Sequence, residues 1–216
     1  MAFKPGRSIG VRLVDTSGWV VNNVMKWREL CTCLRADLYR CSAHTSIGAF
    51  IKYVLVGGSF KFIFWMRLCK YLHEKSFLWG PVYYPARIIL NHYMLKFGLQ
   101  VSFYADIGPR LLMGHYGGIV VSGEAKIGKN CNLSQGVTIG VAGRDTTRGV
   151  PVIGDNVYIA VNAVIVGSIT VGNNVAIGAN CGVTKDVPDN AVVVGVPGKV
   201  ISDKGSREFV NRTDWE

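Results

Sequence analysis

The sequence lacks the long apolar runs that mark membrane-spanning and secreted proteins. No uninterrupted stretch reaches the roughly 18–20 apolar residues that a bilayer-spanning helix needs, because cations such as Lys61 and Arg87 break the longest candidates. Arg12 and Asp15 interrupt the first apolar stretch, so it has no secretory pattern. We therefore expect a cytoplasmic protein, with peripheral contact at the inner face of the membrane as a further option.

Cysteine is too scattered for a disulfide framework or a structural metal centre. The 216 residues contain six cysteines, and they do not show the paired spacing of a zinc site. Only Cys31 and Cys33 lie close enough in sequence to touch one metal ion. Since thiols stay reduced in the cytoplasm, we expect neither a disulfide nor a metal.

Acidic residues are scarce in the first half of the chain. Residues 1–100 contain 14 Lys and Arg against 4 Asp and Glu, whereas residues 101–216 contain 10 of each, so the first half carries the whole net charge of +10. Such asymmetry favours nucleic acid, an anionic membrane surface or an anionic substrate. The cations are scattered and no recognition motif accompanies them, so we expect no nucleic-acid partner.

What the sequence does have is an aliphatic residue at every sixth position of its second half. The unbroken series is Ile153, Ile159, Ile165, Val171, Ile177 and Val183. A period of six fits neither an amphipathic helix nor an alternating strand. It is the signature of a parallel β-helix, in which each six-residue unit forms one side of a coil. We therefore predict a mostly β protein, with a β-helix over residues 98–201.

Two interruptions of this six-residue period predict where the coils carry extra residues. An interval of eight residues after Ile119 predicts a two-residue bulge near Ser122 and Gly123. An interval of fourteen residues after Ile139 predicts an ejected loop over residues 143–149. Loops ejected from a rigid solenoid often carry function.

The rest of the chain divides into three further segments. Residues 1–24 are predicted to be a flexible extension, residues 25–97 a helical region and residues 202–216 a polar tail. Within the helical region, residues 60–72 are dense in aromatic side chains with cations among them. This pattern is typical of a helix at an anionic membrane surface, and equally of a helix packed against its own β-helix or a sister subunit. Both interpretations stay open.

The predicted β-helix contains one histidine, His115, within the segment Gly114-His115-Tyr116-Gly117-Gly118. It lies two positions after the inward-facing Met113, so we expect it to point out of the coil. Histidine can take a proton from a hydroxyl group near neutral pH, and the surrounding glycines leave room for a substrate. His115 is therefore the candidate general base.

Three ordered motifs carry a resemblance to a known family: residues 114–121 (GHYGGIVV), residues 135–140 (QGVTIG) and residues 194–201 (VGVPGKVI). The chain resembles the hexapeptide-repeat acyltransferases, and specifically their serine acetyltransferase-like branch. This resemblance implies a left-handed β-helix, a homotrimer or a dimer of trimers, and acetyl-CoA along the groove between coils. It also implies that His115 is the catalytic base of a direct acetyl transfer, with the donor contacted by Arg144, Ala160, Ala179, Gly140 and Lys199.

The acceptor side of this resemblance is altered. Gly114 and Gln100 stand where the family pattern has aspartates, and Glu124 lies one position away from the expected glutamate. Because an unpaired ammonium group in a closed site is costly, we expect acetylation of a sugar hydroxyl in a surface-polysaccharide or glycolipid precursor. Serine O-acetylation in cysteine biosynthesis and a non-catalytic trimeric scaffold are the alternatives.

Several polar residues remain candidates for the acceptor site. Glu124 and Asp106 are the nearby carboxylates that could orient the His115 ring, and Tyr116 and Gln100 are further candidates for contact with the acceptor.

Overall fold

The computed structural model describes residues 25–75, 79–143 and 148–214. The extension predicted for residues 1–24 and the candidate donor contact Arg144 lie outside these ranges. Four helices come first in the described chain: α1 (Trp27–Ser42), α2 (Ile47–Leu55), α3 (Gly58–His73) and α4 (Gly80–Phe97).

Local sequence accounts for where these helices begin and end. Glu29 in the first turn of α1 accepts a hydrogen bond from the backbone N–H of Lys26 at 2.8 Å, which satisfies a donor that the helix itself leaves free. Ser46 caps α2 by accepting from the backbone N–H of Ala49 at 3.2 Å. Gly98 ends α4 with φ of 62°, a left-handed conformation that glycine adopts without strain.

The strands that follow α4 fall into three sheets. The first sheet contains β1 (Leu99–Val101), β4 (Ile119–Val121), β7 (Thr138–Gly140), β10 (Val164–Val166) and β13 (Gly182–Val183). The second contains β2 (Asp106–Ile107), β5 (Lys126–Ile127), β8 (Val152–Ile153) and β11 (Thr170–Val171). The third contains β3 (Leu112–Met113), β6 (Asn132–Leu133), β9 (Tyr158–Ile159), β12 (Ala176–Ile177), β14 (Val192–Val194) and β15 (Lys199–Ser202).

From β1 to β13, successive strands enter the first, second and third sheets in turn, so the chain winds around a triangular coil. All strand pairs within the three sheets are parallel except β14 with β15, which is antiparallel and closes the coil. The prediction of a left-handed parallel β-helix preceded by helices is confirmed.

Each sheet sends apolar side chains into the coil. In the first sheet one row of them is Val101, Val121, Ile139, Ile165 and Val183, all of them buried. Regular turns such as the one from Asn156 to Asn174 take 18 residues, or three six-residue units. The six-residue apolar period of the sequence thus corresponds to side chains that point into the coil.

The predicted position of the two-residue bulge is wrong. Val121, rather than Ile119, pairs with Ile139 in the first sheet, whereas Met113 pairs with Leu133 in the third. The path from Met113 to Val121 is therefore eight residues long, against six from Leu133 to Ile139. The extra residues lie at the turn that contains His115, and not near Ser122 and Gly123. Ile119 and Val121 are both buried, so hydrophobicity alone did not distinguish their registers.

The turns between the second and third sheets form one regular edge, which we call the asparagine corner. Its members Asn130, Asn156, Asn174 and Asn190 all have φ between 56° and 60°. Each amide donates to the side-chain oxygen of the next, at 2.7, 2.9 and 3.1 Å. Asparagine suits this edge because it tolerates the left-handed conformation and adds a ladder of hydrogen bonds along the coil.

A buried ion pair joins the helices to the first coil. Arg67 of α3 contacts Asp37 of α1 at 3.0 Å, and the two side chains are 2% and 0% exposed. Arg67 also donates to the carbonyl oxygens of Ile107 and Gly108, while Asp37 accepts from the backbone N–H of Leu111. Burial alone lowers the pKa of Arg67, but the Asp37 carboxylate outweighs it and the pKa is raised.

Helix α3 is packed inside the molecule. The apolar side chains Phe60, Phe62, Ile63, Met66, Cys69 and Leu72 of this helix are buried. Two interpretations were open for residues 60–72, a membrane-surface helix and a helix packed within the protein. The structure shows the packed helix. In the described chain no single helix is long and apolar enough to cross a membrane, although α2 and α3 together pass that test as a pair bent by 97°.

The polar tail lies along the asparagine corner. Ser206 donates its backbone N–H to the Asn174 carbonyl oxygen at 2.9 Å, and the Phe209 ring stacks on Tyr158 with ring centroids 4.8 Å apart. Farther on, Asn211 accepts a hydrogen bond from Arg40 of α1 at 2.9 Å. The tail therefore covers this corner as far as the helical region.

Candidate active site

His115 lies on a turn pushed out from the coil between β3 and β4. Its side chain is exposed, as predicted, and forms no hydrogen bond with any residue that the structure describes. Gly117 and Gly118 follow with φ of 118° and 67°, values that strain other residues. The two extra residues and the glycine pair therefore hold an imidazole clear of the coil.

Tyr116 fixes this turn against the helices. Its ring lies 4.5 Å from that of Phe97 at the end of α4. On its other side it abuts Gly58, where an added Cβ would lie 2.6 Å from a ring carbon of Tyr116. Tyr116 thus joins the turn that carries His115 to the helices, and its predicted contact with the acceptor stays a prediction.

Two of the predicted donor contacts share the corner of His115. We call the turns between the third and first sheets the His115 corner; Ala160 lies there after β9 and Ala179 after β12. Ala160 is buried and Ala179 is exposed. Small side chains at these turns leave space along the outside of the coil, on the same edge as His115 and two and three coils away from it.

The other described donor candidates lie elsewhere. Gly140 ends β7 at the opposite edge of the first sheet, and Lys199 begins β15 at the end of the coil. The turns between the first and second sheets, where the ejected loop leaves, are called here the loop corner. Ala142 and Gly149 exchange two backbone hydrogen bonds at the base of this loop, at 3.0 and 3.1 Å.

An exposed ion pair stands at the loop corner. Arg148 in the ejected loop contacts Glu124, with Nη2 to Oε1 at 3.0 Å and Nη1 to Oε2 at 3.4 Å. The hydrogen bond and charge of Glu124 raise the pKa of Arg148. Glu124 was among the predicted site residues, but Arg148 was not. Its position in a loop predicted to be functional was the signal that could have identified it.

The remaining candidates face other groups. Asp106 lies on the second sheet and pairs with Lys70 at 3.4 Å, and the described part of the chain shows no hydrogen bond between it and His115. Gln100 lines a cavity of about 310 Å³ with Arg87 of α4, whose guanidinium lies 5.0 Å from the Phe103 ring.

The arrangement gives two chemically distinct groups on either side of the first sheet. A free imidazole lies at the His115 corner, and a paired carboxylate and guanidinium lie at the loop corner. No three His, Cys, Asp or Glu side chains among the described residues could hold a metal ion together. The site therefore offers a proton acceptor and a pair of opposite charges.

Known proteins resemble this chain in both sequence and fold. The family model described as "Bacterial transferase hexapeptide (six repeats)" matches residues 151–185. The crystal structure of Neisseria gonorrhoeae serine acetyltransferase in complex with serine is 31% identical, covers 81% of this chain and 70% of its own, and aligns with a TM-score of 0.66. The chain belongs to the hexapeptide-repeat acyltransferases, in the serine acetyltransferase-like branch.

Two other serine acetyltransferases are similar to this chain. The serine acetyltransferase of Bacillus pumilus is 39% identical over 137 residues, which cover 63% of this chain and 62% of that protein. The chain thus spans less than two thirds of this hexapeptide-repeat relative. A serine acetyltransferase structure in complex with CoA is 26% identical, covers 81% of this chain and 70% of its own, and has a TM-score of 0.64.

The expectation of a sugar acceptor in a polysaccharide or glycolipid is wrong. The relatives and the structural neighbours in this hexapeptide-repeat branch are serine acetyltransferases. The expectation rested on the missing aspartates at Gly114 and Gln100 together with the shifted position of Glu124. Glu124 is displaced by one position in the sequence, yet its carboxylate is present at the loop corner and is held by Arg148.

Proposed function

We propose that this protein is an acetyl-CoA-dependent O-acetyltransferase whose acceptor is the hydroxyl group of L-serine. The observation that carries the proposal is His115, an exposed imidazole on a turn extruded for it, in a chain of the serine acetyltransferase branch. The Glu124–Arg148 pair supports the choice of acceptor, because free serine carries one positive and one negative group.

The reaction is a direct transfer with one proton carrier. A ring nitrogen of His115 takes the serine hydroxyl proton as the oxygen forms its bond to the acetyl carbonyl carbon. A backbone N–H steadies the tetrahedral oxyanion. The carbon–sulfur bond then breaks, and His115 returns the proton to the CoA thiolate. O-acetylserine and CoA leave, and His115 is neutral again.

The acceptor's two charges fit the pair at the loop corner. The Glu124 carboxylate attracts the ammonium group of serine, and the Arg148 guanidinium attracts its carboxylate. Both side chains are about half exposed, so they can exchange part of their mutual contact for contact with the acceptor. The Glu124 carboxylate thus supplies the negative charge that is missing at Gly114 and Gln100.

A trimer brings the two corners together. Within one chain the first sheet separates them, and from Gly118 to Ser122 it spans roughly 13 Å at about 3.3 Å per residue. When coils pack side by side around a threefold axis, the His115 corner of one chain can face the loop corner of the next. The donor then lies in the groove beside Ala160 and Ala179, between two chains.

The test is thiol release from acetyl-CoA by the purified full chain. L-serine is compared with serinamide and ethanolamine, which keep the ammonium and hydroxyl groups but lack the carboxylate. We expect L-serine to give the highest kcat/KM, with the product identified by mass as O-acetylserine. No release above the acceptor-free rate with L-serine, at any concentration tried, would contradict the proposal.

A further inference from the structure

Helix α2 presents a row of large apolar side chains to the outside of the protein. Ile47, Ile51 and Leu55 recur every fourth position along it and are followed by Val56 at its end, and all four are 53–80% exposed. No residue of this helix is buried. Contiguous exposed apolar surface of this kind marks an interaction site.

The row is exposed although the helix is firmly attached. Phe50, on the inner side of α2, packs edge-on against Phe60 at 5.8 Å and Phe64 at 5.7 Å, both on α3. The inner face is therefore satisfied by the protein itself. The outer row is a surface with no partner among the described residues of this chain.

Cations and a tryptophan border this row. An apolar groove of about 420 Å³ between α1 and α2 is lined by Ile47 and by Trp27 and Arg35 of α1, with no carboxylate in its lining. Lys52 lies exposed on α2 itself. Between Asp37 and Glu74 the sequence contains no acidic residue.

We propose that this surface, the α2 patch (Trp27, Arg35, Ile47, Ile51, Lys52 and Leu55), binds the protein to an anionic phospholipid surface. The apolar row enters the acyl boundary, Trp27 lies at the headgroup level, and Arg35 and Lys52 contact lipid phosphates. The predicted membrane contact of the basic aromatic region is thereby assigned to α2 instead of the buried α3.

Charge decides against a second copy of this chain as the occupant. Two α2 patches facing each other would place the Arg35 and Lys52 side chains of both copies in one interface, with no carboxylate in the patch to pair with them. Like charges in an apolar interface disfavour that contact. An anionic headgroup layer supplies the missing negative charge and an apolar interior together.

The experiment is co-sedimentation of the full chain with vesicles. Vesicles of phosphatidylcholine alone are compared with vesicles of equal parts phosphatidylcholine and phosphatidylglycerol, at low and high salt. We expect binding to the mixed vesicles only, weakened by salt. Ile51→Ser with Leu55→Ser should weaken it roughly tenfold or more, and Lys52→Gln about fivefold.

The matched control is Val200→Ser with Ile201→Ser, two exposed aliphatic residues on β15 at the far end of the coil. This variant should bind vesicles like the wild type. Equal binding to neutral and mixed vesicles, or an unchanged affinity for Ile51→Ser with Leu55→Ser, overturns the proposal. Light scattering follows the oligomer in parallel. If the α2 variant changes oligomer size rather than vesicle binding, the patch is an interface between copies.

Discussion

The asparagine corner and the turn that carries His115 lie on two edges of the same coil, yet they are built by different means. The asparagine corner repeats one residue type in one conformation, and its side chains bond to one another along the axis. The first turn of the His115 corner instead has two additional residues and a glycine pair, and its imidazole bonds to nothing in the described chain. Farther along this corner, Asn162 and Asn180 share a side-chain hydrogen bond of the same kind as at the asparagine corner. Regular, satisfied side chains stabilise a fold, whereas a free group on a constrained turn is available for chemistry.

The tail strengthens this contrast. Residues 203–214 lie over the asparagine corner, while the turn that carries His115 is exposed and meets the helices through Tyr116 and through a hydrogen bond from Gly118 to Gly98. A substitution at the asparagine corner should therefore change stability, and a substitution of His115 should change the catalytic rate. The four predictions below test this separation, from the largest expected effect to the smallest.

His115→Asn should lower kcat with serine by about 10²–10⁴-fold, because the general base is lost. The unfolding midpoint should stay unchanged, since the ring is exposed and unbonded. Rates come from thiol release, and stability from thermal unfolding. His92→Asn is the control, because His92 is an exposed histidine on α4, outside the coil. Near-normal turnover in His115→Asn would remove it from catalysis.

Asn174→Ala should lower the free energy of unfolding by about 3 kcal/mol, from two side-chain hydrogen bonds at about 1 kcal/mol each and a left-handed conformation costing alanine about 1–2 kcal/mol. Asn174→Gly removes the bonds but tolerates φ of 56°, so it should cost about 2 kcal/mol. Denaturant unfolding measures both. The kcat of the folded variants should match the wild type; a rate loss as large as that of His115→Asn would show that the corners are not separate.

Part of this contrast could be predicted from the sequence, because it depends on local patterns. The six-residue period predicts the coil, and the position of His115 two residues after Met113 predicts that its side chain points outward. The extruded turn was not predicted at this position. Register could not be predicted, since Ile119 and Val121 are both aliphatic and both inward. The pairing of Arg148 with Glu124 links residues 24 apart through the ejected loop, and no local pattern indicates it. The burial of α3 likewise depends on which neighbours cover its aromatic side chains.

Glu124→Gln should raise the KM for serine roughly tenfold, because a neutral amide attracts an ammonium group more weakly than a carboxylate does. The KM for acetyl-CoA and the unfolding midpoint should change little, since the pair with Arg148 is exposed. Steady-state kinetics with each substrate varied in turn give the KM for serine and the KM for acetyl-CoA separately. Glu208→Gln, an exposed glutamate on the tail, is the control. A larger change in the donor KM than in the serine KM would assign Glu124 to the donor side.

Gly58→Ala should have the smallest effect, and it tests whether the helices position the catalytic turn. The added methyl group would lie 2.6 Å from the Tyr116 ring, so Tyr116 must move, and His115 is its neighbour in the chain. Displacing a base from its working geometry costs rate without removing the group. We expect kcat to fall by a few fold, on the order of 1 kcal/mol in the activation free energy. Gly48→Ala is the control, because its methyl group would meet nothing within 4 Å.

A pH–rate profile distinguishes displacement from loss of the base. In Gly58→Ala the acid limb of kcat/KM should persist at a lower plateau, whereas in His115→Asn it should disappear. Equal rates for the two alanine variants would mean that Tyr116 adapts freely, and that the turn alone sets the position of His115.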